Sequence, residues 1–186
     1  MKKALVILFD KVEEIEAVAP IDILRRGKID VTTASLEADI EIIGRSGIAI
    51  DCDELLEDVI ESSFDAVILP GGPGVYDILE MHPRDVEPLE KIIKRHFERG
   101  KIVAAICAAP AVLDDFKLLS GKNFTAHTSV AETLKNCDAS RDVVRDGNLI
   151  TSRGAGTAIA FGLEILAALT DAQTADDVAK AICFKR

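Results

Sequence analysis

Four short aliphatic runs, at residues 4–9, 31–34, 66–69 and 102–106, set the terms on which this chain can fold. They have the length and β-branched content of strands buried on both faces, as in a parallel sheet. Stretches of helical periodicity lie between or after them, near residues 13–26, 86–99, 109–119 and 157–169. Asp10, Pro83 with Asp85, and Thr128 or Ser129 read as helix starts, and Gly27 and Gly100 as stops. The alternation predicts an α/β fold with a doubly wound, mostly parallel sheet and helices on both faces. Two places read as antiparallel hairpins instead: residues 40–50, turning at Gly44 to Gly47, and residues 143–151, turning at Asp146 to Asn148. No repeat, low-complexity run or long linker divides the 186 residues, so a single domain over residues 1–186 is expected.

Composition narrows the function. A net charge of −10 argues against nucleic acid and against an anionic membrane, since both call for basic patches. The apolar run at residues 4–9 stops at Asp10, too soon for a secretory core, and residues 158–169 are broken by Gly162 and Glu164. A cytoplasmic protein is the expectation. Four scattered cysteines and three histidines make no metal-ligand spacing and no disulfide framework, so neither a metal nor a cofactor is expected. His82 precedes a proline, and His96 lies in a charged run that reads as solvated surface.

One cysteine stands apart. Cys107 ends the run at residues 102–106, where a parallel sheet carries its reactive groups, and a helix is expected just after it. Ala104, Ala105, Ala108 and Ala109 keep the surroundings small, as a sharp strand-to-helix elbow demands. A helix N-terminus beside the thiol would lower its proton affinity and supply thiolate at neutral pH. The bland alternative is an apolar filler in an alanine-rich turn.

Glu16 is the second oddity. At about 100° per residue, Val12, Ala19, Pro20 and Ile23 fall in a narrow arc around it, while Glu13 and Glu14 point elsewhere. A carboxyl in the middle of an apolar stripe should hold its proton more tightly than usual, unless nearby backbone satisfies it. The stretch "LPGGPGVYD" at residues 69–77 puts glycines at a strand's carboxyl end, where backbone N–H groups are free to meet an anion. It lacks the lysine of a P-loop. "SRGAGT", at residues 152–157, reads as a tight turn feeding a helix. His127 sits between a short strand and a helix start, placed to orient or deprotonate the thiol, or equally to serve the turn alone.

The stretches "ALVILFDKVEEIEAVAPIDILRR", "DAVILPGGPG", "AAICAAP", "FTAHTSV" and "TSRGAGTAIAFGLEIL" together resemble the ThiJ/PfpI superfamily. The likeness is strongest to its Parkinsonism-linked deglycase branch, the DJ-one-like proteins, bacterial YajL among them. The resemblance implies a flavodoxin-like, class I glutamine amidotransferase-like fold and a homodimer. It assigns Cys107 as an oxidisable nucleophile, Glu16 as the carboxyl that hydrogen-bonds it, and His127 as a neighbouring histidine. Gly72 and Ala108 match the positions whose backbone N–H groups face substrate or an oxidised sulfur. Ala109 stands where relatives often carry glycine. Ala108 stands where the protease-like branch carries histidine, which sets a PfpI-type peptidase behind the other readings. Cys52 lies one position from a cysteine at some relatives' dimer interface, and no role is carried over to it.

The function this resemblance implies is a glutathione-independent glyoxalase or protein deglycase. Its partner would be a small dicarbonyl such as methylglyoxal or glyoxal, or a glycated protein. The alternative is a redox-sensing stress-response chaperone in which Cys107 is oxidised to a sulfinic acid.

Overall fold

A computed structural model describes residues 1–185. The aliphatic runs form strands β1 (Lys3–Leu8), β2 (Asp30–Ser35), β6 (Ala66–Leu69) and β7 (Ile102–Ile106). Short strands β3 (Glu41–Ile43), β4 (Ala49–Asp51) and β5 (Glu54–Leu55), and the pair β8 (Val143–Asp146) and β9 (Leu149–Ser152), complete the set. The main sheet runs β5-β2-β1-β6-β7-β9-β8, and all its pairings are parallel except β8 with β9. Strand β1 lies inside the sheet between β2 and β6, and residues 4–8 there are fully buried. Such a strand cannot alternate polar and apolar side chains, which is why its sequence is a continuous aliphatic run. The two expected hairpins form, with β3 pairing antiparallel to β4 as a separate ribbon.

Helix α1 (Glu14–Arg26) crosses from β1 to β2, and α4 (Pro83–Glu98) crosses from β6 to β7. The two crossovers run in opposite directions along the sheet, so right-handed connections place them on opposite faces. On the first face α1 packs against α7 (Ala158–Leu169), which in turn carries α8 (Ala172–Ala181). On the second, α4 packs against the short α2 (Leu56–Val59). Two further short helices, α3 (Gly74–Glu80) and α5 (Pro110–Asp115), pack on each other beyond the carboxyl ends of β6 and β7. A single turn of helix, α6 (Thr128–Ala131), follows His127. The direction of winding reverses between β1 and β6, and a doubly wound sheet opens a crevice at such a point.

Three expectations need correction. His96 is 2% exposed and not surface. Its Nδ1 lies 2.7 Å from the Ile92 carbonyl and its Nε2 accepts the Phe64 N–H at 3.0 Å, so the ring is a neutral link between α4 and the segment before β6. Burial pushes its proton affinity below the ordinary histidine value. Asp10 does not cap α1: Glu13 occupies the cap position, and the Asp10 carboxylate instead accepts the Ile43 N–H at 2.8 Å. The helix after Cys107 is also shorter than the periodicity suggests, because Phe116 ends it and Lys117 turns into the left-handed region. Among the described residues no helix is long and apolar enough to cross a membrane.

Candidate active site

The site gathers at the carboxyl ends of β1, β6 and β7. Cys107 follows β7 directly, half-buried, with a φ of +66°. A side chain in this left-handed region is strained, and the surroundings must hold it there. They do so from both sides. The Cys107 N–H donates to the Ser152 carbonyl at 2.8 Å, and its own carbonyl accepts the His127 N–H at 2.8 Å. The elbow is therefore pinned between β9 and the segment leading into α6. Ala104, Ala105 and Ala109 are fully buried around it and Ala108 almost so, as the turn requires.

Glu16 reaches this elbow from the first turn of α1. It is 1% exposed, on the same face as Pro20 and Ile23. One carboxyl oxygen, Oε2, accepts the Gly71 N–H at 3.0 Å. The other, Oε1, is buried with no aligned donor. Burial pushes the carboxyl up to about 7, against the opposing pull of the Cys107 thiol and the Gly71 N–H. Glu14 also points away from solvent. It lies under the β3–β4 turn, accepting the Ser46 N–H at 2.7 Å, and backbone and side-chain hydrogen bonds there outweigh burial and hold it below the usual carboxylate range.

Gly71 was not singled out by the sequence, and it is what lets acid and thiol meet. A Cβ on Gly71 would stand 2.6 Å from the Cys107 Cβ, 2.6 Å from Glu16 Oε2 and 2.8 Å from the Ile106 carbonyl oxygen. No side chain fits. Gly72 has a φ of +119°, and a Cβ there would meet the Glu13 nitrogen and the Lys11 carbonyl at 2.5 Å. Its N–H and that of Ala108 are directed at the Cys107 sulfur, where both favour negative charge.

The thiol itself departs from expectation. It is pushed up to about 12, first by burial and then by the charge of Glu16 and its hydrogen bond to that carboxyl. The helix dipole does not rescue it, because α5 has six residues and begins at Pro110, three positions beyond the sulfur. Burial and the neighbouring carboxyl thus both favour the proton on the sulfur, and burial raises Glu16 as well.

His127 is exposed, at the position that caps α6. It borders a cavity of about 540 Å³, whose wall also includes Thr128, Asp142, Arg153 and Gly154. Arg153 and Asp142 form an exposed ion pair at 2.9 Å on the rim. A Cβ on Gly154 would lie 3.4 Å from His127 Cδ2 and 4.0 Å from Glu16 Oε1, so little more than a glycine backbone separates cavity and carboxyl. The cysteines away from the elbow differ in setting. Cys52 is buried, and burial followed by Asp53 and Asp51 pushes it up to about 11, whereas Cys183 is exposed. Among the described residues no cluster of His, Cys, Asp and Glu is grouped to hold a metal ion.

A doubly wound sheet that presents a cysteine on a strained elbow, facing a buried acid and two backbone N–H groups, defines a class of cysteine-centred α/β proteins. The chain belongs to the DJ-1/PfpI family, which matches residues 2–168. It is 38% identical to Drosophila melanogaster protein dj-1beta over 97% of this chain and 96% of that one. It is also 38% identical to Arabidopsis thaliana protein DJ-1 homolog B over 95% of this chain. The chain spans only 40% and 47% of the lengths of Arabidopsis homologs B and A. Among solved structures, Drosophila DJ-1beta superposes with a TM-score of 0.93 at 36% identity, covering 100% of this chain and 99% of that one. Oxidised Toxoplasma gondii DJ-1 gives 0.93 at 30% identity and covers 100% of both chains. The flavodoxin-like α/β fold expected from the sequence is the fold observed.

Proposed function

We propose that this protein is a glutathione-independent glyoxalase or protein deglycase that acts on methylglyoxal and glyoxal, or on their adducts, through Cys107 and Glu16. One observation carries the reading: a carboxyl that is 1% exposed, and that burial pushes up to about 7, sits against the elbow thiol. A general base works best when its proton affinity lies near the operating pH. The Glu16 carboxylate accepts the thiol proton as sulfur attacks the aldehyde carbon and passes it to the new alkoxide oxygen, which gives a C–S bond, a hemithioacetal and a carboxylate free to act again. The Gly72 and Ala108 N–H groups stabilise the charge that develops during attack. Glu16 then moves the hydrogen of that carbon to the neighbouring carbonyl carbon through an enediol, which leaves a thioester. Water cleaves the thioester to lactate, or to glycolate from glyoxal, and frees the thiol. No electrons enter or leave overall.

Lactate formed from methylglyoxal without glutathione tests this directly. Wild-type turnover that Cys107→Ala abolishes is the expected result, and turnover surviving in that variant refutes it. A second reading, a redox-sensing chaperone, draws support from the solved Toxoplasma gondii relative described as oxidised. Absence of turnover, with a gain of two oxygens on Cys107 in the intact mass after mild peroxide, would favour it.

The exposed aliphatic side chains of Ile15 and Val18 on α1, and of Ile43 and Ile48 on the adjoining hairpin, support a homodimer. Sedimentation at twice the protomer mass of 20.0 kDa is expected, and a protomer mass at micromolar concentration would rule the dimer out. Four free cysteines suit a reducing cytoplasm.

A further inference from the structure

We propose that Tyr76 and Ser129 are positioning residues that hold His127 in one tautomer, so that its Nε2 donates a hydrogen bond to substrate and does not take the thiol proton. The inference rests on the proposed glyoxalase reading for its role in turnover, but not for the tautomer itself.

Two elements meet here, α3 and the turn of α6 with its cap. Tyr76, the only tyrosine of the chain, lies in α3 and donates from its hydroxyl to Ser129 Oγ at 3.0 Å. Ser129 Oγ lies 2.9 Å from His127 Nδ1, and the Ser129 backbone N–H reaches the same nitrogen at 3.1 Å. A backbone N–H can only donate. Nδ1 of the neutral ring is therefore an acceptor, and the ring proton sits on Nε2. With the Tyr76 proton directed at Ser129 Oγ, the serine's own proton is free to point to Nδ1 as a second donor. Nδ1 is then saturated from two sides and unavailable to any other group.

The opposite edge of the ring lies beside Gly154, which shares the cavity wall with His127. Cδ2, bonded to Nε2, is the atom that a Cβ on Gly154 would meet at 3.4 Å, and that same point lies 4.0 Å from Glu16 Oε1. An Nε2–H on this edge can meet the second carbonyl oxygen of a dicarbonyl. That oxygen gains negative charge as the neighbouring carbon loses its hydrogen, and a hydrogen bond there stabilises the enediol-like state without transferring a proton. The division of labour follows: Glu16 handles protons, and His127 holds charge. Neither Tyr76 nor Ser129 touches substrate in this scheme.

The tautomer is read by two-bond ¹⁵N–¹H correlation on histidine-labelled protein at pH 8, with His127 assigned by its loss in His127→Asn. His96, whose Nδ1 faces a carbonyl and whose Nε2 accepts an N–H, supplies an internal reference of the other tautomer. Wild type should show His127 as Nε2–H; Ser129→Ala and Tyr76→Phe keep the residue-129 N–H on Nδ1 and so keep that tautomer, while the Nδ1 resonance should move as the hydroxyl donor is lost or reoriented. Tyr76 is 44% exposed and the phenylalanine keeps its ring, so that variant is expected to fold. In lactate assays kcat should fall roughly threefold to tenfold in each variant, the size expected for one lost hydrogen bond. The rate of Cys107 alkylation by iodoacetamide should stay unchanged. His127 found as Nδ1–H in wild type overturns the inference, as does alkylation falling in step with kcat. The nitrogen spectrum decides the tautomer even if the protein makes no lactate, so failure of the glyoxalase reading and failure of this inference are told apart.

Discussion

Replacing Glu16 with glutamine stabilises the protein at pH 8 by up to about 3 kcal/mol while lowering lactate formation by roughly 10²- to 10⁴-fold. The stability gain follows from the carboxyl being raised from 4.5 to about 7 in the folded state. Below pH 4.5 the side chain is protonated in both folded and unfolded chains, and its protonation contributes no difference. Between 4.5 and 7 the unfolded chain gains by ionising and the folded one does not, so stability falls as pH rises through this window and levels off above it. Glutamine cannot ionise, and its carbonyl still accepts the Gly71 N–H seen at 3.0 Å. Urea unfolding of both proteins at pH 4 and pH 8 measures this. The curves should coincide at the lower pH and separate at the higher. Wild-type activity should rise through about pH 7 as the base ionises. Equal stability at both pH values, or full activity in Glu16→Gln, would sink the assignment.

Gly71→Ala is the second large effect, and it acts through shape alone. The new methyl group would overlap the Cys107 Cβ and Glu16 Oε2, both at 2.6 Å, together with the Ile106 carbonyl oxygen at 2.8 Å. Two of these neighbours are fixed by backbone, one of them an elbow already held at φ +66°. The remaining freedom is to push the Glu16 carboxyl away from the sulfur. Overpacking of this kind costs about 1–3 kcal/mol, and separating base from thiol removes the base's contribution of about 10²-fold or more. A lowered melting temperature together with lactate formation reduced at least a hundredfold is expected. Unchanged turnover would mean that the close approach of Glu16 and Cys107 is not what the reaction uses.

Much of the framework was legible residue by residue. Strands β6 and β7 run over the residues that their aliphatic stretches mark out, and both hairpins turn where glycines stand. Their limits are local matters of chain chemistry. Helix α8 escaped notice although Asp171 caps it, accepting the Thr174 N–H at 2.8 Å, a spacing visible in the sequence. Helix α3 could not have been read the same way. It starts from Pro73 within a glycine-rich loop, and no side chain caps it. His96 shares its face of α4 with Leu89, Ile92 and Ile93, so helical spacing did mark it as buried, and its charged neighbours Arg95 and Arg99 hid the pattern.

The site divides along the same line. Periodicity alone picked out Glu16, because a charged residue inside an apolar stripe is an anomaly that one helix can reveal. Composition around a strand end picked out Cys107. Gly71 and the Tyr76–Ser129–His127 chain were invisible because each depends on atoms from separate elements converging within about 3 Å.

What the amino-acid sequence determined by itself was the alternation that builds the sheet, and hence which residues stand at the carboxyl ends of its strands. Only the tertiary structure decided how tightly the thiol and the acid hold their protons. Proton affinity is set by loss of water and by neighbouring charge, and burial beside Glu16 carried the Cys107 thiol up to about 12 where a helix end nearby in sequence suggested the reverse.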